Sequence, residues 1–129
     1  MLRVAVAQFN ATVGDLAGNV DRIVAMAALA MARGAQVLVT PELALCGYPP
    51  EDLLLRPDFY RACDRALDDL AARAGGIALV VGHPEERDGR RYNAATVIEN
   101  GAKKAVYRKV RLPNYEVFDE KRYFDACSE

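Results

Sequence analysis

Gln36-Val37-Leu38-Val39-Thr40-Pro41-Glu42-Leu43 decides how this chain folds. A short apolar, β-branched run closed by proline reads as a buried strand, because no polar alternation marks a solvent face and proline cannot continue a ladder. Toward the N-terminus, Leu2 to Gln8 is a second run of this kind. Between the two, Val20, Ile23, Val24, Ala27 and Met31 recur at helical spacing, one apolar stripe facing a core. Gly14-Asp15 and Gly18 punctuate the loop before that helix, Asn19 is its expected N-cap, and Gly34 is its expected glycine stop.

Toward the C-terminus, Leu43 to Pro57 reads as a loop rich in proline, with Gly47 inside it. A second helix is expected from about Pro57 to Arg73, with Phe59, Cys63, Ala66, Leu67 and Leu70 inward and Gly75-Gly76 ending it. Ile77 to Val81 is a third buried strand. Asn100-Gly101 between the strand-like runs Tyr92 to Glu99 and Ala102 to Lys109 predicts a hairpin, because both turn residues accept positive φ. The order is therefore β-α-β-α-β plus a β-hairpin. That is an α/β fold in which the hairpin extends the sheet antiparallel.

At 129 residues and 52% hydrophobic content, the chain has material for one core. Lys+Arg 17 against Asp+Glu 18 offers no field for a polyanion, so neither nucleic acid nor an acidic membrane surface is an expected partner. Cys46, Cys63 and Cys127 are odd in number and irregularly spaced, which suggests neither a disulfide framework nor a zinc site. The opening apolar run is too short and too polar for a signal peptide, and no stretch approaches the roughly 20 apolar residues of a membrane span. A cytoplasmic, soluble protein is expected.

Two charged residues fall at strand ends, where open α/β sheets bind ligands: Glu42 after the second strand and Lys109 at the end of the hairpin. Position alone leaves Glu42 readable as a solvated loop carboxylate and Lys109 as a charge guarding a sheet edge. Cys63 lies on the apolar stripe of the second helix and reads as a buried thiol. The lone histidine, His83, sits in what reads as a Gly82-His83-Pro84 turn, with no partner ligands for a metal.

The wording around these positions is more specific. Pro41-Glu42-Leu43 after a strand, Gly47-Tyr48-Pro49-Pro50, Gly82-His83-Pro84, Tyr92-Asn93-Ala94-Ala95 and Tyr107-Arg108-Lys109 resemble, in one colinear pass, the nitrilase or carbon–nitrogen hydrolase superfamily. The phrases Leu112-Pro113-Asn114-Tyr115 and Phe118-Asp119-Glu120-Lys121-Arg122-Tyr123-Phe124 are similar to the glutaminase domain of glutamine-dependent NAD⁺ synthetases in particular. The resemblance implies a nitrilase-like α-β-β-α sandwich and a Glu–Lys–Cys triad. Glu42 matches the general base, Lys109 the catalytic lysine and Tyr115 a glutamine contact, and Tyr48 is a further pocket candidate. Glu116 departs from the pattern, standing where the family commonly has glycine.

None of the three cysteines matches the nucleophile, which in the family closes a further apolar strand. The chain accordingly reads as the leading portion of the domain (1–129), incomplete as a sandwich, with one apolar sheet face left open. Alone, it is expected to be inactive. The resemblance implies no cofactor or metal for the glutaminase chemistry. It places ATP, Mg and nicotinic acid adenine dinucleotide with a synthetase domain outside these residues, and it implies glutamine as substrate and a homo-oligomer. A stand-alone nitrilase-type amidase and a non-catalytic interaction module are the alternatives.

Overall fold

The computed structural model of the chain describes residues 1–112 and 120–127. Strand β1 (Val4–Val6) leads through helix α1 (Leu16–Ala32) to β2 (Val37–Val39). A 3₁₀ helix (Glu51–Leu55) and helix α2 (Pro57–Arg73) precede β3 (Ala78–Arg87), β4 (Arg90–Glu99) and β5 (Ala102–Arg108), and α3 (Glu120–Tyr123) closes the described part. The limits of α2 are those read from sequence. Pro57 opens it, where a missing N–H costs nothing, and Ala74 caps its end with an N–H to the Leu70 carbonyl.

The five strands form one sheet in the order β1-β2-β3-β4-β5, parallel as far as β3 and antiparallel beyond it. Registers Ala5↔Leu38↔Leu79↔Ile98 put one set of side chains on a single face, and Leu38, Leu79, Val81 and Ile98 are buried there. They share a core with Val20, Ile23, Ala27 and Ala30 of α1 and with Tyr60, Cys63, Leu67 and Leu70 of α2. The helical period explains the membership. Ala30 continues the 23–27 row and is buried, whereas Met31, expected inward, is largely exposed.

Registers Val6↔Val39↔Val80↔Val97 define the opposite face. There Val4 and Val6 are 51% and 67% exposed, and Val39, Val80 and Val97 are partly so. This valine-lined face also carries the site described below.

Three local readings are corrected. Asn19 is not the N-cap of α1, which begins earlier: Asp15 caps it, its Oδ1 accepting from Gly18 N–H at 3.0 Å. Asn19 lies inside the helix, fully buried, and its side chain clamps two loops. Its Oδ1 accepts from Thr12 N–H, and its Nδ2 donates to the carbonyls of Thr12 (2.8 Å) and Leu45 (3.1 Å). Those partners satisfy it better than a helix end would.

The second correction concerns His83, which is in a strand and not in a turn: β3 runs on to Arg87, and Pro84 pairs with Asn93. The β2 ladder has already ended at Val39↔Val80, so proline's missing N–H falls where β3 has no strand on that side. His83 is buried, with Nδ1–H donating to the Pro84 carbonyl and Nε2 accepting from the Thr96 hydroxyl at 2.6 Å. Burial pushes its pKa down, against the opposing pull of that carbonyl, and the neutral ring fits its two partners.

Third, the segment after Glu42, read as a loop, contains the 3₁₀ helix, and its start is core. Leu43, Ala44, Leu45 and Cys46 are all buried. A second hairpin turn, not singled out from the sequence, joins β3 to β4 at Asp88-Gly89, with φ of 51° and 77°, the same positive pair as Asn100-Gly101.

Candidate active site

Glu42 stands one residue before a tight bend. Leu43 adopts φ 53°, a left-handed conformation rare for a branched side chain, and the 41–47 segment is then tied back on itself and to β3. Ala44 N–H bonds the Pro41 carbonyl, Gly47 N–H bonds the Leu43 carbonyl, and Leu45 N–H reaches the Gly82 carbonyl at 3.0 Å. The bend therefore holds the Glu42 backbone against β3.

That approach requires glycine at position 82. A Cβ there would lie 2.6 Å from both Leu43 N and the Pro41 carbonyl oxygen, backbone atoms that cannot swing aside. Gly82→Ala is expected to cost about 1–3 kcal/mol, read as a lower Tm, and to shift Glu42 in a crystal structure of the variant. Gly75→Ala, where a Cβ meets nothing within 4 Å, serves as the neutral control.

Lys109 follows β5, its backbone N–H bonded to the Asn93 carbonyl at 2.9 Å. Its ammonium meets Glu42 across the open face, with Nζ donating to Glu42 Oε1 at 2.6 Å and to Glu120 Oε1 at 2.8 Å. Glu120, from α3, is only 1% exposed. Asn93 of β4 completes the group, its Nδ2 donating to Glu42 Oε1 at 2.8 Å and to Glu120 Oε2 at 3.3 Å. Two carboxylates and two donors thus alternate around a ring.

Burial pushes the Lys109 pKa down, but the hydrogen bonds to Glu120 and Glu42 and the charges of both outweigh it. The net direction is up, so the amine is an ammonium at neutral pH. Such a group donates and attracts, and it is not a base.

The structure thus brings together Glu42 and Lys109, which the sequence singled out, and adds Glu120 and Asn93, which it did not. Signals for both were present. A carboxylate that folds inward needs a cation, and asparagine is a poor strand former within the apolar run 92–98. Tyr48, 41% exposed, lines a cavity of about 350 Å³ with Glu42, Phe9, Asn10, Pro41 and Ala44. Tyr115 and Glu116 lie outside the described residues.

The cysteines are elsewhere. Cys46 and Cys63 are buried in the core; burial pushes the Cys46 thiol up to about 12 and Cys63 further in the same direction, so neither forms a thiolate readily. Cys127 N–H bonds the Lys109 carbonyl, but its thiol lines a separate depression with Arg108 and Tyr92. Arg108 faces the helix side of the sheet, beside Glu85. No group of His, Cys, Asp and Glu able to hold a metal occurs among the described residues, and no helix there is long and apolar enough to cross a membrane.

The fold has known counterparts. The carbon–nitrogen hydrolase family model matches residues 3–127, and the chain belongs to that family. Within it, the chain is similar to the glutamine-dependent NAD(+) synthetase of Xanthomonas campestris, 51% identical over 126 residues that cover 97% of this chain and 23% of the relative. The chain therefore spans about a quarter of the length of the curated relatives it matches.

Among solved structures, the glutamine-dependent NAD(+) synthetase of Cytophaga hutchinsonii superposes with a TM-score of 0.92 at 31% identity, over 97% of this chain and 22% of that one. An amidase from Nesterenkonia, described with acrylamide added at its active-site cysteine, superposes at 0.84 with 32% identity, over 100% of this chain and 51% of its own.

Proposed function

We propose that this chain is the leading portion of a glutaminase domain in which Glu42 is the general base and Lys109 the oxyanion-stabilising cation. The observation that carries the reading is the 2.6 Å contact between Lys109 Nζ and Glu42 Oε1 on the open sheet face. The nucleophilic cysteine and an ATP-dependent synthetase domain would lie in sequence beyond these residues. Several further assignments rest on the same reading: a cytoplasmic address, a homo-oligomer, no metal or cofactor in the hydrolytic step, and ATP with Mg in the synthetase domain.

The chemistry follows from what each group has left to offer. Glu42 Oε1 is taken by Lys109 and Asn93, while Oε2 makes no hydrogen bond among the described residues. Oε2 is then the atom that accepts the thiol proton. The thiolate attacks the side-chain amide carbon of glutamine, because an acyl-enzyme splits one hard hydrolysis into two easier steps.

Two of the three Lys109 N–H groups are occupied by carboxylates, and the third, which has no partner among the described residues, would serve the oxyanion. Glu42 returns its proton to the departing nitrogen, ammonia leaves, and Glu42 then deprotonates the water that cleaves the thioester. Tyr48 and Tyr115 would contact the substrate. The ammonia would amidate nicotinic acid adenine dinucleotide in the synthetase domain.

The test is ammonia release from glutamine by the full-length protein, coupled to ATP-dependent formation of NAD⁺. Glutamine turnover with NAD⁺ formation is expected. The superposition on the Nesterenkonia amidase favours a second reading, a stand-alone amidase for another small amide. A continuation of the coding sequence without a Ser-Gly-Gly-x-Asp-Ser type phosphate loop, and turnover of simple amides but not glutamine, would select that reading instead.

A further inference from the structure

The geometry points to Asn93 as a positioning residue that divides its side-chain amide between the two carboxylates of the site and so aims Glu42 Oε2 at the substrate. This inference rests on the catalytic reading of Glu42 given above.

The orientation of the Asn93 amide is fixed by its neighbours. Both neighbours of Nδ2 are carboxylate oxygens, Glu42 Oε1 at 2.8 Å and Glu120 Oε2 at 3.3 Å, and neither Glu42 nor Glu120 can donate while ionised. Only the NH₂ end fits there, so the alternative flip is excluded by chemistry. The two N–H groups then serve one carboxylate each.

Lys109 bridges the same pair, but its three donors sit on a flexible stem and one is needed for the oxyanion. A single cation could let the Glu42 carboxyl rotate about its own axis. A second donor on the same oxygen, fixed to a central strand, removes that freedom and leaves Oε2 outward. Asn93 also holds the other partner, because its carbonyl accepts the Lys109 N–H at 2.9 Å. One residue therefore sets the backbone of the cation and the side chain of the base.

Its placement argues against a space-filling role. Asn93 is buried, in a strand whose neighbours Ala94 and Ala95 are small and apolar, where an apolar β-former would pack at lower cost. Among the described residues, the titratable groups facing Glu42 are Lys109 from the end of β5, Glu120 from α3 and Tyr48 from its own loop. Without the Asn93 donor, Glu42 Oε1 keeps only the Lys109 ammonium as a partner among the described residues.

The test compares Asn93→Leu, nearly isosteric but without donors, with Asn93→Asp in the full-length protein. Asn93→Leu is expected to lower kcat for glutamine hydrolysis about tenfold to a hundredfold. KM should stay within about twofold to threefold, and the acid limb of the kcat–pH profile should move. Asn93→Asp places a third carboxylate in the ring and is expected to lose more in the same direction. A lowered Tm with kcat and acid limb unchanged would show that Asn93 is merely structural.

Should a variant of Asn93 not fold, the protein with Asn93 intact decides. With nitrogen-labelled asparagine, the Asn93 side-chain amide resonances are expected to titrate with the acid limb and to lose that titration in Glu42→Gln. Resonances indifferent to pH would overturn the inference. Glu42→Gln is also the control on the underlying reading. If it hydrolyses glutamine at the native rate, the catalytic assignment fails; if it is inactive while Asn93→Leu is unaffected, only the role of Asn93 fails.

Discussion

Glu42→Gln should reduce glutamine hydrolysis by the full-length protein by about 10²–10⁴-fold, the contribution of a positioned general base. The substitution removes little else. Glutamine has the shape of glutamate, and its amide oxygen can keep the hydrogen bonds that Lys109 Nζ and Asn93 Nδ2 now make to Oε1. The NH₂ group then takes the place of Oε2, which makes no hydrogen bond among the described residues. Because Glu42 is 42% exposed in its side chain, the accompanying change in stability should be small, within about 1 kcal/mol. The measurement is kcat for ammonia release alongside Tm. A variant with near-native kcat would remove Glu42 from the role of base, whatever its proximity to Lys109.

Lys109→Met is expected to fail in two ways. Loss of the cation that faces the developing oxyanion should cost about 10²–10³ in kcat. It should also destabilise the fold, because Glu120 is a buried carboxylate whose remaining described donor is the neutral amide of Asn93 at 3.3 Å. Breaking a fully buried pair costs about 3–5 kcal/mol. The figure here should be smaller, since the Lys109 side chain is 29% exposed and solvent screens part of the interaction.

Lys109→Arg should not restore the rate, because a planar guanidinium cannot reproduce three tetrahedral donors to Glu42, Glu120 and an oxyanion. Thermal unfolding and kcat on the same samples separate the two losses. A variant that is destabilised but fully active would leave Lys109 a structural clamp only.

Glu120 shows why these effects are coupled. It is buried, it is ionically paired to the proposed oxyanion stabiliser, and it touches the residue that aims the base. In such a ring the consequences of single substitutions do not add, and a double variant of Glu42 and Lys109 should lose less than the product of the single losses.

How much of this was legible depends on the range of the interaction concerned. The bounds of α2 were, because Pro57 and Gly75-Gly76 act on their own dihedrals. So was the β4–β5 hairpin, since Asn100 and Gly101 both adopt positive φ by local preference. The hairpin at Asp88-Gly89 carried an equal signal that the apparent break at Gly82-His83-Pro84 obscured. The Asn19 cap was misread because a good capping side chain is also a good clamp, and the carbonyl that claims it belongs to Leu45, 26 residues away.

By itself, then, the sequence determined the order of the five strands and of α1 and α2, most of the helix-facing apolar set, and the placement of Glu42 and Lys109 at strand ends. Periodicity, turn chemistry and proline act over a few residues and can be read along a line. Only the tertiary structure decided that Glu42 and Lys109 touch, across 67 residues of chain, and that Asn93 and Glu120 join them. The reason is physical: a buried polar side chain is stable only with its partners, and the sheet register and the bend at Leu43 bring those partners together.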